Sequence, residues 1–126
     1  MADEIIVLIP ASTAHIGLVR ATASALAARL DLSYDRIMDL HIAIDEVCSR
    51  IRATSNPAPS RLEVKFQVEG NALTVSARGD TKLKEGGAFL SPWSATILES
   101  VTDGTELDDD EGVVRMTFRV GRGVSA

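Results

Sequence analysis

Apolar residues open the chain as a block: Glu4 to Ile9 runs Glu-Ile-Ile-Val-Leu-Ile and stops at Pro10. Proline has no backbone donor to give a sheet, so a short first strand ending there is predicted. The spacing then changes to three and four. Ile16, Val19, Ala23, Leu26, Ala27 and Leu30 form one stripe behind Ser12 or Thr13 as N-cap, which predicts a helix ending near Asp31. Ser33 opens a second helix. Asp35 in its first turn suits the positive helix end, and Ile37, Leu40, Ile44, Val47 and Ile51 keep one face apolar. Ser55-Asn56-Pro57-Ala58-Pro59 forbids further helix.

Beyond Pro59 the period becomes two. Leu62, Val64, Phe66 and Val68 alternate with Glu63, Lys65 and Gln67, and past Gly70-Asn71 the alternation resumes at Leu73, Val75 and Ala77. This predicts a hairpin with one buried face. Arg78 to Leu90 loses periodicity and is expected to form a mobile surface loop. Ser91-Pro92 starts a third helix, with Trp93, Ile97, Leu98 and Val101 as its apolar face and Asp103-Gly104 as its end. A second hairpin follows: a strand around Thr105 to Leu107, an acidic turn from Asp108 to Gly112, and a strand carrying Val114, Met116, Phe118 and Val120. The order implies an α+β fold, a two-layer sandwich with three helices on one face of a mixed, mostly antiparallel sheet. The other sheet face is left to solvent or a partner.

The 126 residues, 45% of them hydrophobic, suit one domain with one core, spanning 1–126. The longest apolar run, Ile5 to Ile9, is far short of a membrane span, and no signal segment precedes it. The single cysteine, Cys48, excludes an internal disulfide. A soluble protein of the reducing cytoplasm is expected. A net charge of -5 repels nucleic acid and anionic membranes, which favours a protein partner or a small ligand.

The second helix carries the most specific signal: Asp39-Leu40-His41-Ile42-Ala43-Ile44-Asp45-Glu46-Val47-Cys48-Ser49-Arg50-Ile51. It resembles the N-box helix of RsbW-type anti-sigma factors, a branch of the histidine-kinase-like (Bergerat, or GHKL) ATPases, and is most similar to actinobacterial sigma-F type anti-sigma proteins. The resemblance extends over nearly the whole chain. It implies a homodimer that sequesters an alternative sigma factor through His15 to Arg29 and Arg36 to Glu46, and that is displaced by a STAS-type anti-anti-sigma protein. It also implies ATP and Mg²⁺ as cofactors, with Glu46 as general base in a serine kinase.

Three positions depart from that pattern. Where the family has a magnesium-binding asparagine four residues after the glutamate, this chain has Arg50. A guanidinium is donor-only and cannot ligate Mg²⁺. It fits either of two other roles, holding a phosphate directly or pairing with Glu46 at i, i+4. Where the family's Asp-x-Gly receives adenine, the chain has Ala77-Arg78-Gly79-Asp80; alanine offers no acceptor, and Asp80 substitutes only if the loop shifts. The glycine-rich lid is reduced to Gly86-Gly87, and Pro92 removes a donor from the helix start that follows. Arg50, Gly79, Asp80, Gly86 and Gly87 are thus the nucleotide-binding candidates of an eroded site, and pure binding ranks ahead of a working kinase.

The remaining features carry less. His15 and His41 have no ligand cluster at metal spacing and read as ordinary polar residues. Cys48 is expected in the core, with a redox role only if it is exposed and acidified. Trp93 is expected as a core anchor. Glu106 to Glu111, with five acidic side chains in six, reads as a solvated hairpin tip that also attracts basic surfaces such as a sigma factor's.

Overall fold

A computed structural model describes residues 3–85 and 88–122. Strand β1 (Glu4–Pro10) leads through a 3-10 turn into helix α1 (Ile16–Arg29) and helix α2 (Tyr34–Thr54). Strands β2 (Arg61–Glu69) and β3 (Ala72–Gly79) form the first hairpin. Helix α3 (Pro92–Val101) precedes the second, β4 (Gly104–Asp110) and β5 (Val113–Gly121). The caps expected for α2 and α3 are in place. Ser33 Oγ accepts from the Arg36 amide at 3.2 Å, and Ser91 Oγ accepts from the Ser94 amide at 3.1 Å with Pro92 in the first turn. Ser12 caps the 3-10 turn rather than α1 itself.

The strand order is β1-β2-β3-β5-β4 and every pairing is antiparallel. The expected mixed sheet therefore has no parallel component among the described residues: the two-helix excursion after β1 brings the chain back against it in the opposite direction. Alternation decides the layers. Leu62, Val64 and Phe66 of β2, Leu73, Val75 and Ala77 of β3, and Met116, Phe118 and Val120 of β5 are buried beneath the helices. The helices answer with Val19, Ala23 and Leu26 from α1, Leu40, Ile44 and Val47 from α2, and Leu98 from α3. Truncating Phe66 or Phe118, each 1% exposed, costs on the order of 3–5 kcal/mol. The opposite face is uncovered by any helix and mostly polar, with Ile6 and Leu8 exposed on β1; Glu63, Arg78, Arg115 and Asp108 lie in one row across four strands.

Three expectations are corrected. Trp93 is not a core anchor but 74% exposed. Leu98 and Val101 set which side of α3 faces inward, Ser94 lies four residues before Leu98 on that side, and Trp93 falls about 140° round the helix from Leu98. The segment from Arg78 onward is not a free loop. Arg78 and Gly79 extend β3, and the Lys84 amide donates to Thr54 O at 2.7 Å, the Asn56 amide to Lys82 O at 2.9 Å and the Leu83 amide to Gly112 O at 3.0 Å. Main-chain pairing of this kind leaves no mark on side-chain periodicity. Finally, β4 runs on to Asp110, and the acidic turn contracts to Glu111-Gly112, with φ of 53° and 90°. The ladder to β5, in which Asp108 faces Arg115, overrides the poor strand propensity of aspartate.

Candidate functional site

Glu46 and Arg50 are one helical turn apart on α2, so both project toward the segment that enters α3. They do not pair with each other. Arg50 Nε donates to Phe89 O at 2.8 Å, and its Nη2 lies 3.5 Å from Ala88 O. Glu46 Oε1 accepts from Ser94 Oγ, while Ser91 Oγ lies 3.0 Å from Ser94 Oγ. Ser94 is 2% exposed and Phe89 4%, the latter a member of the main core cluster. Each of the two polar α2 side chains is thereby committed to a partner within the chain.

The adenine-side candidates are placed differently from one another. Ala77 is buried on the core face of β3 and offers a methyl group where the family has a carboxylate. Gly79 is packed so closely under α2 that a Cβ would lie 3.0 Å from Ile51 Cγ2 and 3.1 Å from Pro59 Cβ. Asp80 does not turn toward this region; its Oδ1 accepts from the Ser60 amide at 2.8 Å and ties the β3 exit to the β2 entrance. Gly86 and Gly87 lie outside the described residues. The fold thus brings Glu46 and Arg50 together with Phe89, Ser91 and Ser94, and leaves Asp80 apart.

Ser94 is the member of this cluster that pattern reading passes over. One signal was present: a hydroxyl at a core-facing position of an amphipathic helix must find a partner, because an unpaired buried polar group costs about 1–3 kcal/mol. Which partner it takes is set by the α2 and α3 packing, not by anything local to Ser91–Val101.

On the other side of α2, the α1–α2 surface carries Arg20 Nη1 on Asp45 Oδ1 at 2.6 Å and Ser24 Oγ at 2.6 Å from His41 Nε2. Leu18 and Ile42 are exposed there, at 57% and 45%. Arg36, by contrast, is turned inward: it donates to Gly121 O at 2.8 Å and to Asp39 and Asp103 at 2.9 Å each. Cys48 is in the core, as expected. Burial, aided by the nearby Asp45 carboxylate, pushes its thiol up from 9.0 to about 12, so it is neither exposed nor acidified.

A five-stranded antiparallel sheet under three helices is the two-layer sandwich expected from the resemblance to the histidine-kinase-like ATPases. The structure resembles a crystal structure of the RsbU and RsbW domains of a Mycobacterium tuberculosis protein, with a TM-score of 0.70 at 15% identity over 98% of this chain. That match spans 35% of the longer chain. No profile of a known protein family matches. Among individual proteins, the chain is 42% identical over 141 residues to the serine-protein kinase RsbW of Bacillus subtilis, covering 92% of this chain and 85% of that one. It is 34% identical over 117 residues to the anti-sigma-F factor RsbW of Mycobacterium tuberculosis, covering 89% and 70%. The chain belongs to the RsbW family of serine-protein kinases and anti-sigma factors.

Proposed function

We propose that this chain is an anti-sigma factor that works by binding alone: it sequesters an alternative sigma factor through the α1–α2 surface and is released by a STAS-type antagonist, without nucleotide chemistry. The observation that carries this reading is Arg50. A permanent cation stands where the family pattern has its magnesium ligand, and it is spent on the Phe89 carbonyl.

The residues present do not fit a magnesium nucleotide of the family type. Arg50 has no lone pair for a metal, Ala77 has no acceptor for an adenine amino group, and Asp80 is occupied by the Ser60 amide. The reading of the partner surface is supported by the exposed Leu18 and Ile42 on α1 and α2 and by the family itself. Within the expected contact ranges, His15 to Arg29 and Arg36 to Glu46, Arg36 serves the fold rather than a partner, since its guanidinium is satisfied internally. Homodimerisation belongs to the same proposal. A cytoplasmic location does too; among the described residues no helix is long and apolar enough to cross a membrane.

A second reading, an ATP-dependent kinase acting on the STAS protein with Glu46 as base, is favoured by the serine-protein kinase names of several relatives. Calorimetry with ATP and ADP, each with and without Mg²⁺, separates the two. Silence at millimolar nucleotide together with a stable complex with a sigma factor is the expected result, and tight magnesium-dependent binding sinks the binding-only reading. Adding Arg50→Asn and Ala77→Asp together is expected to restore nucleotide binding if the pocket is otherwise intact.

A further inference from the structure

We propose that Glu46 and Arg50 have become an internal latch, which holds Phe89 to Ser94 and the first turn of α3 against α2 so that this arrangement needs no ligand. The proposal deepens the binding-only reading and rests on it, because it gives the two altered-site side chains a structural role that needs no nucleotide.

The latch has two attachments of different chemistry. At one end the Arg50 guanidinium donates to Phe89 O at 2.8 Å, the carbonyl of a residue that is 4% exposed and belongs to the core cluster. At the other end the Ser94 hydroxyl, 2% exposed, donates to the Glu46 carboxylate. Ser94 is itself held in place: its amide donates to Ser91 Oγ at 3.1 Å, and Ser91 Oγ is 3.0 Å from Ser94 Oγ. Hydrogen bonds with one ionised member are roughly twice as strong as neutral ones, and both attachments are of that kind.

The geometry also accounts for Trp93. With Ser94 turned inward to Glu46, its neighbour is held outward at 74% exposure on a fixed helix start. Trp93 is the chain's single tryptophan and so reports on this segment alone.

Amide hydrogen exchange of Ala95 to Leu98, whose first member donates to Ser91 O at 2.9 Å, tests the latch, with α1 amides as the control for global unfolding. In the unmodified protein without nucleotide these amides are expected to be protected, and Trp93 fluorescence to be unmoved by Mg·ATP. Arg50→Ala and Ser94→Ala are each expected to speed their exchange about tenfold relative to α1, with Arg50→Lys in between. Arg50→Lys keeps the charge and carries the test if Arg50→Ala unfolds. Free-peptide exchange in the unmodified protein, or no change in any variant, overturns the latch while leaving the binding-only function standing. ATP binding to a protein whose segment is already protected overturns that function and leaves the latch. Protection that appears only with Mg·ATP overturns both.

Discussion

Cys48 lies on the inward face of α2, 2% exposed, with the Asp45 carboxylate nearby. Burial raises its thiol from the ordinary 9.0 to about 12. Below pH 9.0 both states hold the proton and the residue is neutral for stability. Above that the unfolded chain releases a proton that the folded chain keeps, so stability falls as pH rises through the window. Urea titrations at increasing pH are expected to show this alkaline loss in the native sequence and a shallower one in Cys48→Ala. Trp93 is expected to behave as a surface residue: Trp93→Ala should shift unfolding free energy by no more than about 0.5 kcal/mol, against the roughly 3–5 kcal/mol of a core tryptophan. Gly79 carries a different requirement. A Cβ there meets Ile51 and Pro59 at 3.0 and 3.1 Å, so Gly79→Ala should cost about 1–3 kcal/mol in chemical denaturation through overpacking, whether or not any nucleotide is present.

At the scale of elements, α2 is the organiser. Its inward ladder was legible from spacing alone, and so was its N-cap at Ser33, whose side chain accepts from the Arg36 amide. What its polar residues do was not legible, because their partners come from far along the chain. Arg36 joins the start of α2 to the end of β5 by donating to Gly121 O, and it binds Asp103, whose other oxygen accepts from the Gly121 amide at 2.7 Å. Its side chain is 16% exposed, so its loss removes the cation shared by Asp39 and Asp103 and the donor to Gly121 O. Arg36→Ala is expected to destabilise the fold by about 2 kcal/mol, seen as a lower urea midpoint with unchanged slope. The misplacement of Trp93 has the same origin as the missed role of Ser94. Pattern reading places the larger apolar residue inside, whereas the Glu46 acceptor made the inward position suitable for a hydroxyl.

For the whole molecule, charge is distributed unevenly. The net charge is -5, and Glu106, Asp108, Asp109 and Asp110 are exposed along the edge strand β4. Charges on an edge strand discourage unwanted pairing with other chains. They also raise the encounter rate with a basic partner, an effect screened beyond a Debye length of about 8 Å at physiological salt. Association with the sigma factor is therefore expected to slow with added salt. Replacing Glu106, Asp108 and Asp110 by their amides should lower the association rate while leaving dissociation nearly unchanged, as stopped-flow measurements would show.

The order of elements, the buried faces of α2, β2, β3 and β5, and the caps of α2 and α3 were determined by the sequence itself, since each depends on periodicity or on a side chain reaching its own neighbouring backbone. The replacements at positions 50 and 77 were also plain from the residues. Tertiary structure alone decided that the sheet is wholly antiparallel, that Lys82 to Lys84 pairs with the end of α2, and that Glu46 and Arg50 turn to Ser94 and Phe89 rather than to each other. The physical reason is common to all three. Hydrogen bonds between residues 26 to 63 positions apart are chosen by which backbone groups and polar tips the packed layers bring together, and no local pattern encodes that meeting.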